Sequence, residues 1–123
     1  MRLETMDPTP TWDPSAHVET VETFSRFANE ITIHIWGGDW CGDCRAILPE
    51  FAAALDAAGV PEKAIKQYPV DRQKTGELTD EYDIGYIPTI IIERDGEEVA
   101  RFVEDAPVSA AESLANQLET LES

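Results

Sequence analysis

A run of β-branched and aromatic residues with almost no charge, Ile31-Thr32-Ile33-His34-Ile35-Trp36, constrains the fold more than any other feature of the sequence. Side chains of a strand alternate between the two faces of its sheet, so apolar residues at consecutive positions are typical of a strand buried on both faces. The run breaks at Gly37-Gly38-Asp39, and a stripe of apolar residues at helical spacing follows it. The members of this stripe are Ile47, Leu48, Phe51, Leu55 and Ala58. A buried strand that leads into an amphipathic helix predicts an α/β fold.

Six further elements are predicted from periodicity and from turn residues. They are a helix after Asp13-Pro14 that carries Val18, Val21, Phe24 and Phe27, a strand over 64–70, a short helix over 77–82, strands over 89–92 and 97–103, and a helix over 109–121 with Ala111, Leu114, Leu118 and Leu121 on one face. Asp95-Gly96, between the last two strands, is a hairpin turn signal. A strand–helix–strand half followed by a hairpin–helix half predicts one central mixed β-sheet flanked by helices on both faces.

The first 14 residues contain Pro8, Pro10 and Pro14 and show no periodicity. This composition predicts an irregular N-terminal arm, residues 1–14, in front of one domain, residues 15–123. A chain of 123 residues has room for one hydrophobic core. We expect Trp12 of the arm to pack against that domain.

The charge balance excludes several classes of partner. The chain has 25 Asp and Glu against 9 Lys and Arg, a formal net charge of −16. Phosphate contacts need a basic patch, so we expect no nucleic-acid binding, and an anionic membrane surface is excluded for the same reason. No stretch approaches the ~18 apolar residues of a membrane span, and the N-terminus lacks the apolar segment of a secretory signal. We therefore expect a cytoplasmic protein, and its charge favours a monomer.

The acidic composition also indicates the solvent in which the protein works. Acidic residues are scattered from Glu4 to Glu122, and Lys63, Lys66 and Lys74 are the only lysines. Molar salt shortens the Debye length to ~3 Å and screens the repulsion within such a chain. The pattern predicts a salt-adapted protein; an acidic face for a basic partner is the alternative.

The only two cysteines, Cys41 and Cys44, stand between the predicted buried strand and the helix that follows it. A structural disulfide gains little from so small a loop, and a reducing cytosol would open it. Structural zinc requires four ligands, whereas His17 and His34 are far apart and no second cysteine pair exists. Dithiol–disulfide exchange fits best. A cysteine at a helix N-terminus is stabilised as a thiolate, and a second cysteine one turn away can resolve a mixed disulfide.

The cysteine motif and a second motif together resemble the thioredoxin family. Trp40-Cys41-Gly42-Asp43-Cys44-Arg45 is similar to the family's Trp-Cys-Gly-Pro-Cys-Lys active site, and Pro49 falls where its active-site helix carries a proline. Ile84-Gly85-Tyr86-Ile87-Pro88-Thr89 resembles its Ile-Pro-Thr loop, whose proline is cis and faces the cysteines. Val70-Asp71 resembles the end of the next family strand, and the element order agrees from about Val18 to Leu121.

The resemblance implies a role for each of these residues. Cys41 would be the exposed nucleophile, and Cys44 the more buried resolving thiol. Pro88, in the cis form, would place the backbone of Ile87 beside Cys41 to hold an extended client segment, and Trp40 would form an apolar wall of the same groove. It further implies a protein disulfide oxidoreductase that reduces disulfides in client proteins. No bound organic cofactor and no metal are expected, and a reductase or a small thiol would donate the electrons.

Two of three departures from the family pattern bear on mechanism, the first at Asp43 and the second at the family's buried aspartate with its lysine. Asp43 replaces the proline between the cysteines, where it suits a first helical turn and would also oppose a thiolate, making the pair more reducing. The family's buried aspartate falls on Ile35 when counted from Cys41 and on His34 when counted from Trp36, so His34 is a candidate for proton transfer. The lysine that accompanies that aspartate is replaced by Gln67, with Lys66 beside it.

The third departure is at the client-docking rim. Glu104, Asp105 and Ala106 stand where the family has a glycine, which predicts docking partners different from those of an ordinary thioredoxin. The sequence leaves one alternative from another class, a thioredoxin-like interaction or metal-handling module without turnover.

Overall fold

The computed structural model describes residues 3–73, 76, 78–103 and 109–121. Its strands are β1 (Ile31–Gly37), β2 (Ile65–Pro69), β3 (Thr89–Arg94) and β4 (Glu97–Val103), and its α-helices are α1 (Val18–Phe27), α2 (Gly42–Ala58) and α3 (Ala110–Glu119). Single 3₁₀ turns occur at Glu4–Met6, Pro14–Ala16 and Glu62–Ala64.

The four strands form one mixed sheet in the order β2-β1-β3-β4. β1 is parallel to β2 and antiparallel to β3, and β3 is antiparallel to β4. Trp36, near the end of β1, is in register with Tyr68 near the end of β2 and with Thr89 at the start of β3. The loops after β1 and β2 and the loop before β3 therefore meet at one end of the sheet.

The core confirms the α/β architecture and the buried central strand. Ile33, Ile35 and Trp36 of β1 are completely buried. The three α-helices contact one another, with Phe24 of α1 and Phe51 of α2 packed edge to face. The burial of these aromatic rings and aliphatic side chains is the main favourable contribution to folding.

The segment predicted as a short helix over 77–82 differs in the structure. Glu77 lies outside the described residues, and residues 78–83 form turns. Leu78 has φ 63° and Asp83 has φ 61°, both in the left-handed region, which a right-handed helix cannot include. Turns and aromatic side chains thus cover this part of the sheet in place of a helix.

The predicted ends of several elements are confirmed. Gly59, at φ 76°, ends α2, and Asp95-Gly96, at φ 55° and 81°, makes the two-residue turn between β3 and β4. Two residues predicted to face the core do not. Val18 is 52% exposed because α1 begins only there, and Leu121 is 41% exposed because α3 ends at Glu119.

The N-terminal arm is attached to the rest of the chain. Leu3 and Met6 are buried in the common core at 1% and 4% exposure. Trp12 packs against that core and stacks on His17 with ring centroids 4.8 Å apart. The boundary after residue 14 stays a prediction.

Candidate functional site

The two cysteines lie in the first turn of α2. Cys41 is the N-cap residue, its N–H donates to the carbonyl of Gly38 at 3.0 Å, and its own carbonyl accepts the N–H of Arg45 at 3.1 Å. The Cys41 side chain is partly exposed and makes no capping hydrogen bond, whereas Cys44 is completely buried. Both are free thiols. The partly exposed cysteine therefore stands at the N-terminus of a helix, and the buried one follows one turn later.

Burial controls the protonation of the second cysteine. The pKa of the Cys44 thiol is raised to about 12, mainly by burial and to a smaller extent by the neighbouring Cys41 thiol and the Asp43 carboxylate. The Gly38 N–H, 3.5 Å from the sulfur, opposes that change by donating to it. Cys44 is therefore a neutral thiol near pH 7 and must lose its proton before it can act as a nucleophile.

The chamber around Cys44 depends on a residue that sequence reasoning missed. A Cβ atom at Gly37 would lie 3.2 Å from Cδ1 of Leu48, 3.3 Å from Sγ of Cys44 and 3.5 Å from Cδ1 of Leu3. Gly37 thus leaves the space in which the sulfur sits. The Gly37-Gly38 pair was visible in the sequence, but only as a break after the strand.

We expect the release step carried out by Cys44 to accelerate steadily with pH. In a mixed disulfide Cys41 is covalently blocked, but the burial of Cys44, which is the largest cause of its raised pKa, persists. Below that pKa the thiolate fraction, and hence the rate, rises about tenfold per pH unit.

The measurement is stopped-flow release of thionitrobenzoate from a preformed mixed disulfide with Cys41 between pH 6 and 10. A plateau below pH 8 would contradict the expected protonation of Cys44. The Cys44→Ser variant, which lacks the resolving thiol, supplies the background rate.

Trp40 is held over the loop that precedes the dithiol. Its indole N–H donates to the carbonyl of Val70 at 3.2 Å, and a Cβ at Gly38 would lie 2.5 Å from the indole nitrogen. The Arg72 guanidinium lies 5.3 Å from the ring centroid, in cation–π geometry. Trp40 remains partly exposed, as a wall of a binding groove requires.

The Ile87–Pro88 peptide bond is cis, as the family resemblance implied. Both residues are buried, and the Thr89 hydroxyl donates to the carbonyl of Tyr86. The register of β3 with β1 brings this loop to the same end of the sheet as the dithiol. The Ile87 side chain belongs to the core, so a client contact at this position would involve its backbone. Tyr86, which the sequence analysis did not select, is 55% exposed beside this loop.

The remaining predicted site residues are Asp43, Ile35 and the rim residues. Asp43 is exposed in the first turn of α2. Ile35 is a completely buried apolar residue. The predicted rim residues Glu104, Asp105 and Ala106 lie outside the described residues.

His34 belongs to a hydrogen-bonded network between strands. Its Nδ1 lies 2.8 Å from the Tyr68 hydroxyl and its Nε2 lies 2.6 Å from Oε1 of Glu93. The Tyr82 hydroxyl donates to Oε2 of Glu93 at 3.1 Å, and the carboxylate raises the pKa of Tyr82 in addition to the effect of burial. Both ring nitrogens of His34 are engaged within this network and neither is bonded to Cys44. A role of His34 in proton transfer to Cys44 stays a prediction.

We expect this network to stabilise the fold, with Glu93 as its centre. Glu93→Ala leaves His34 and Tyr82 without their common acceptor, and one unsatisfied group costs about 1–3 kcal/mol, so a loss of about 2–4 kcal/mol of unfolding free energy is expected. Tyr68→Phe removes only one hydroxyl and should cost about 1 kcal/mol. Urea unfolding of both variants at pH 7 checks the order; equal losses would contradict a central role for Glu93.

Two features, a group of metal-binding side chains and a membrane-spanning helix, are absent from the residues that the structure describes. Within these ranges no three His, Cys, Asp or Glu side chains are grouped so that they could hold a metal ion. Nor is any helix there long and apolar enough to cross a membrane.

The fold together with an exposed and a buried cysteine at a helix N-terminus defines the class of thiol–disulfide oxidoreductases. Residues 15–120 match the family model for thioredoxin. The chain therefore belongs to the thioredoxin family.

Relatives of known function agree with this assignment. Thioredoxin of Mycoplasma pneumoniae is 33% identical over 89 residues, which cover 72% of this chain and 82% of that protein. Protein disulfide-isomerase of Drosophila melanogaster is 34% identical over 84 residues, which cover 67% of this chain but only 17% of the isomerase. The chain thus spans less than a fifth of that isomerase. These relatives support thiol–disulfide oxidoreductase chemistry at the level of the family.

A solved structure shows the same fold. The oxidized form of mitochondrial thioredoxin 3 from Saccharomyces cerevisiae superposes with a TM-score of 0.52 at 15% identity and covers 79% of this chain and 86% of that one. At this identity the likeness concerns the fold alone.

Proposed function

We propose that this protein reduces disulfide bonds in client proteins by cycling Cys41 and Cys44 between dithiol and disulfide. The observation that carries the proposal is the unequal burial of the pair, with Cys41 partly exposed at the N-terminus of α2 and Cys44 completely buried one turn later. An exposed thiol can meet a client, whereas a buried one can react only with a group that Cys41 has already brought in.

The proposed reaction has two exchange steps. The Cys41 thiolate attacks one sulfur of the client disulfide, forms a mixed disulfide and expels the other client sulfur as a thiolate. Cys44 then loses its proton and attacks Sγ of Cys41, which forms the Cys41–Cys44 disulfide and releases the second client thiol. Two electrons pass to the client, and a reductase or a small thiol must return two electrons to the oxidised pair.

The client segment would lie at the end of the sheet where the three loops meet. Trp40, fixed by Val70 and Arg72, supplies an apolar wall beside Cys41. The backbone at Ile87 and Pro88, just before β3, supplies hydrogen-bonding groups for an extended chain. The rigid placement of Trp40 supports this role because a preformed wall need not be ordered on binding.

Asp43 is proposed to make the pair more reducing. Its carboxylate raises the pKa of Cys44 and opposes negative charge in the reduced state. Removing that charge in Asp43→Asn is therefore expected to raise the reduction potential, by roughly 10–30 mV. Redox titration of both proteins against glutathione buffers checks this; an unchanged potential would leave Asp43 only its place in the first helical turn.

We propose that the protein works in a salt-rich cytoplasm. The net charge of −16 and the scarcity of lysine support this proposal. Salt screens the repulsion between like charges and so stabilises a strongly negative chain more than a neutral one. We propose that activity and Tm both rise between 0.1 M and 2 M KCl.

The experiment that tests the function is a redox titration of the Cys41–Cys44 pair in molar KCl, with metal content determined on the same sample and insulin reduction as the activity assay. A metal-free protein with one two-electron transition near ~−270 mV that reduces insulin supports the proposal. A transition well above ~−200 mV would reverse the direction of electron flow, and bound metal without a titratable pair would exclude the enzyme.

A further inference from the structure

Leu3, the first described residue of the N-terminal arm, is buried in the same part of the core as the resolving cysteine. Leu3 is 1% exposed, and its Cδ1 and the Cys44 sulfur both lie within 3.5 Å of the position that a Cβ of Gly37 would occupy. Leu48 of α2 closes the same space from another side. A residue 41 positions away in the chain is thus buried close to Cys44.

Two backbone hydrogen bonds hold this part of the arm in place. The Leu3 N–H donates to Oε1 of Gln67 on β2 at 2.7 Å, and the Thr5 N–H donates to Oδ1 of Asp39 at 2.9 Å. Asp39 lies in the loop between β1 and the dithiol. The Thr5–Asp39 hydrogen bond therefore connects the arm, two residues after Leu3, to the loop that carries Trp40 and Cys41.

The seated arm also contains an unfavourable feature. The Thr5 hydroxyl is buried, and no hydrogen-bond partner for it occurs in the part of the chain that the structure describes. A buried hydroxyl without a partner costs desolvation free energy, which is recovered when the arm lifts and water reaches the group. The burial of Leu3 and the two hydrogen bonds thus stabilise the packed position of the arm, whereas the buried Thr5 hydroxyl destabilises it.

We propose that residues 3–6 are a positioning element for Cys44: Leu3 seals the chamber of the resolving thiol and thereby limits how readily that thiol reacts. The arm itself makes no contact with a client in this scheme. Its effect on turnover rests on the proposed function, whereas its effect on the reactivity of Cys44 does not.

The test compares two alanine substitutions in the same arm, both in a Cys41→Ser background that leaves Cys44 as the only thiol. Leu3→Ala opens the chamber, and Met6→Ala is the matched control because Met6 is also buried but lines a cavity with Ala52 and Leu55, farther along α2. The rate of Cys44 alkylation by iodoacetamide is measured from pH 7 to 10.5. Leu3→Ala should accelerate it about tenfold or more throughout this pH range, and Met6→Ala should change it less than twofold.

The groups that face Cys44 make this pH profile interpretable. Cys41 and Asp43 are the titratable neighbours that act on it from α2, and Asp39 lies in the preceding loop. The residues that share the space beside the Cys44 sulfur are Gly37, Leu48 and Leu3, which do not titrate. Cys41→Ser removes one of these titratable neighbours equally from every variant.

A second pair of variants, at Asp39, leaves the buried side chains of the core unchanged and tests the proposal even if Leu3→Ala does not fold. Asp39→Asn and Asp39→Ala both remove the charge, but only asparagine keeps an oxygen that can accept the Thr5 N–H. Asp39→Ala should accelerate alkylation several-fold, and Asp39→Asn should restore the slow rate. Equal rates within this pair, or equal acceleration by Leu3→Ala and Met6→Ala, would overturn the proposal.

The two proposals can fail separately. Alkylation requires no disulfide exchange, so a protein that does not reduce insulin but shows the predicted differences retains the role of the arm. A protein that reduces insulin but shows no difference between the variants retains the function and loses that role.

Discussion

Replacement of Cys41 by serine is expected to lower the rate of insulin reduction by about 10³-fold or more, to the uncatalysed background. Cys41 is the partly exposed member of the pair, and its side chain is the one at the helix N-terminus, where a thiolate is stabilised. Cys44 is completely buried and cannot replace it. The measurement is turnover with dithiothreitol in molar KCl, together with Tm to show that the variant is folded.

The Cys44→Ser variant is the matched control for the first exchange step. It keeps Cys41 and should form a mixed disulfide with a client at the normal rate but fail to release it. Mass spectrometry should therefore show a stable adduct with Cys44→Ser and none with Cys41→Ser. Adducts of equal yield on the two variants would contradict the assignment of nucleophile and resolving thiol.

The second large effect is expected at Gly37. A Cβ there lies closer to Cδ1 of Leu48 and Sγ of Cys44 than ordinary packing allows, so both neighbours must shift. Gly37→Ala should cost about 1 kcal/mol and Gly37→Val about 3 kcal/mol of unfolding free energy, because overpacking a filled core is destabilising. Displacement of the Cys44 sulfur should also slow mixed-disulfide release about tenfold in Gly37→Ala, since exchange requires aligned sulfurs.

Gly42 supplies the comparison within the same site. It lies between the cysteines in α2, and a Cβ there would meet nothing within 4 Å. Gly42→Ala should therefore leave release unchanged and keep or raise stability, by up to about 1 kcal/mol, because alanine favours the helix. Urea unfolding and stopped-flow release measure both quantities. Similar effects at Gly42 and Gly37 would show that the glycines matter for the backbone alone, against the packing argument.

Local patterns in the sequence were sufficient to predict most of the secondary structure. The buried β1 run, the end of α2 at Gly59, the Asp95-Gly96 turn and the helix α3 all depend on residues close in the chain. The short helix over 77–82 was wrong, within the described residues, because the left-handed conformations of Leu78 and Asp83 leave no sequence signal that periodicity can detect.

The environment of His34 shows why its role could not be derived from spacing. Counting along the family motif made it a candidate base, but its partners Tyr68 and Glu93 are 34 and 59 positions away. The alignment of three strands brings these side chains together and turns the imidazole into a cross-strand link. No pattern within β1 distinguishes that arrangement from one directed at Cys44.

The sequence by itself determined the motifs and their place in the chain: a Cys-x-x-Cys pair between a buried strand and a helix, a family-like Ile-Pro-Thr loop and a strongly acidic composition. Only the tertiary structure decided that Cys44 is completely buried close to Gly37, Leu48 and Leu3 and that His34 bonds to Tyr68 and Glu93. The physical reason is that motifs and periodicity depend on neighbours along the chain. Burial and hydrogen bonding depend on which distant segments pack together, and these determine the pKa of a thiol.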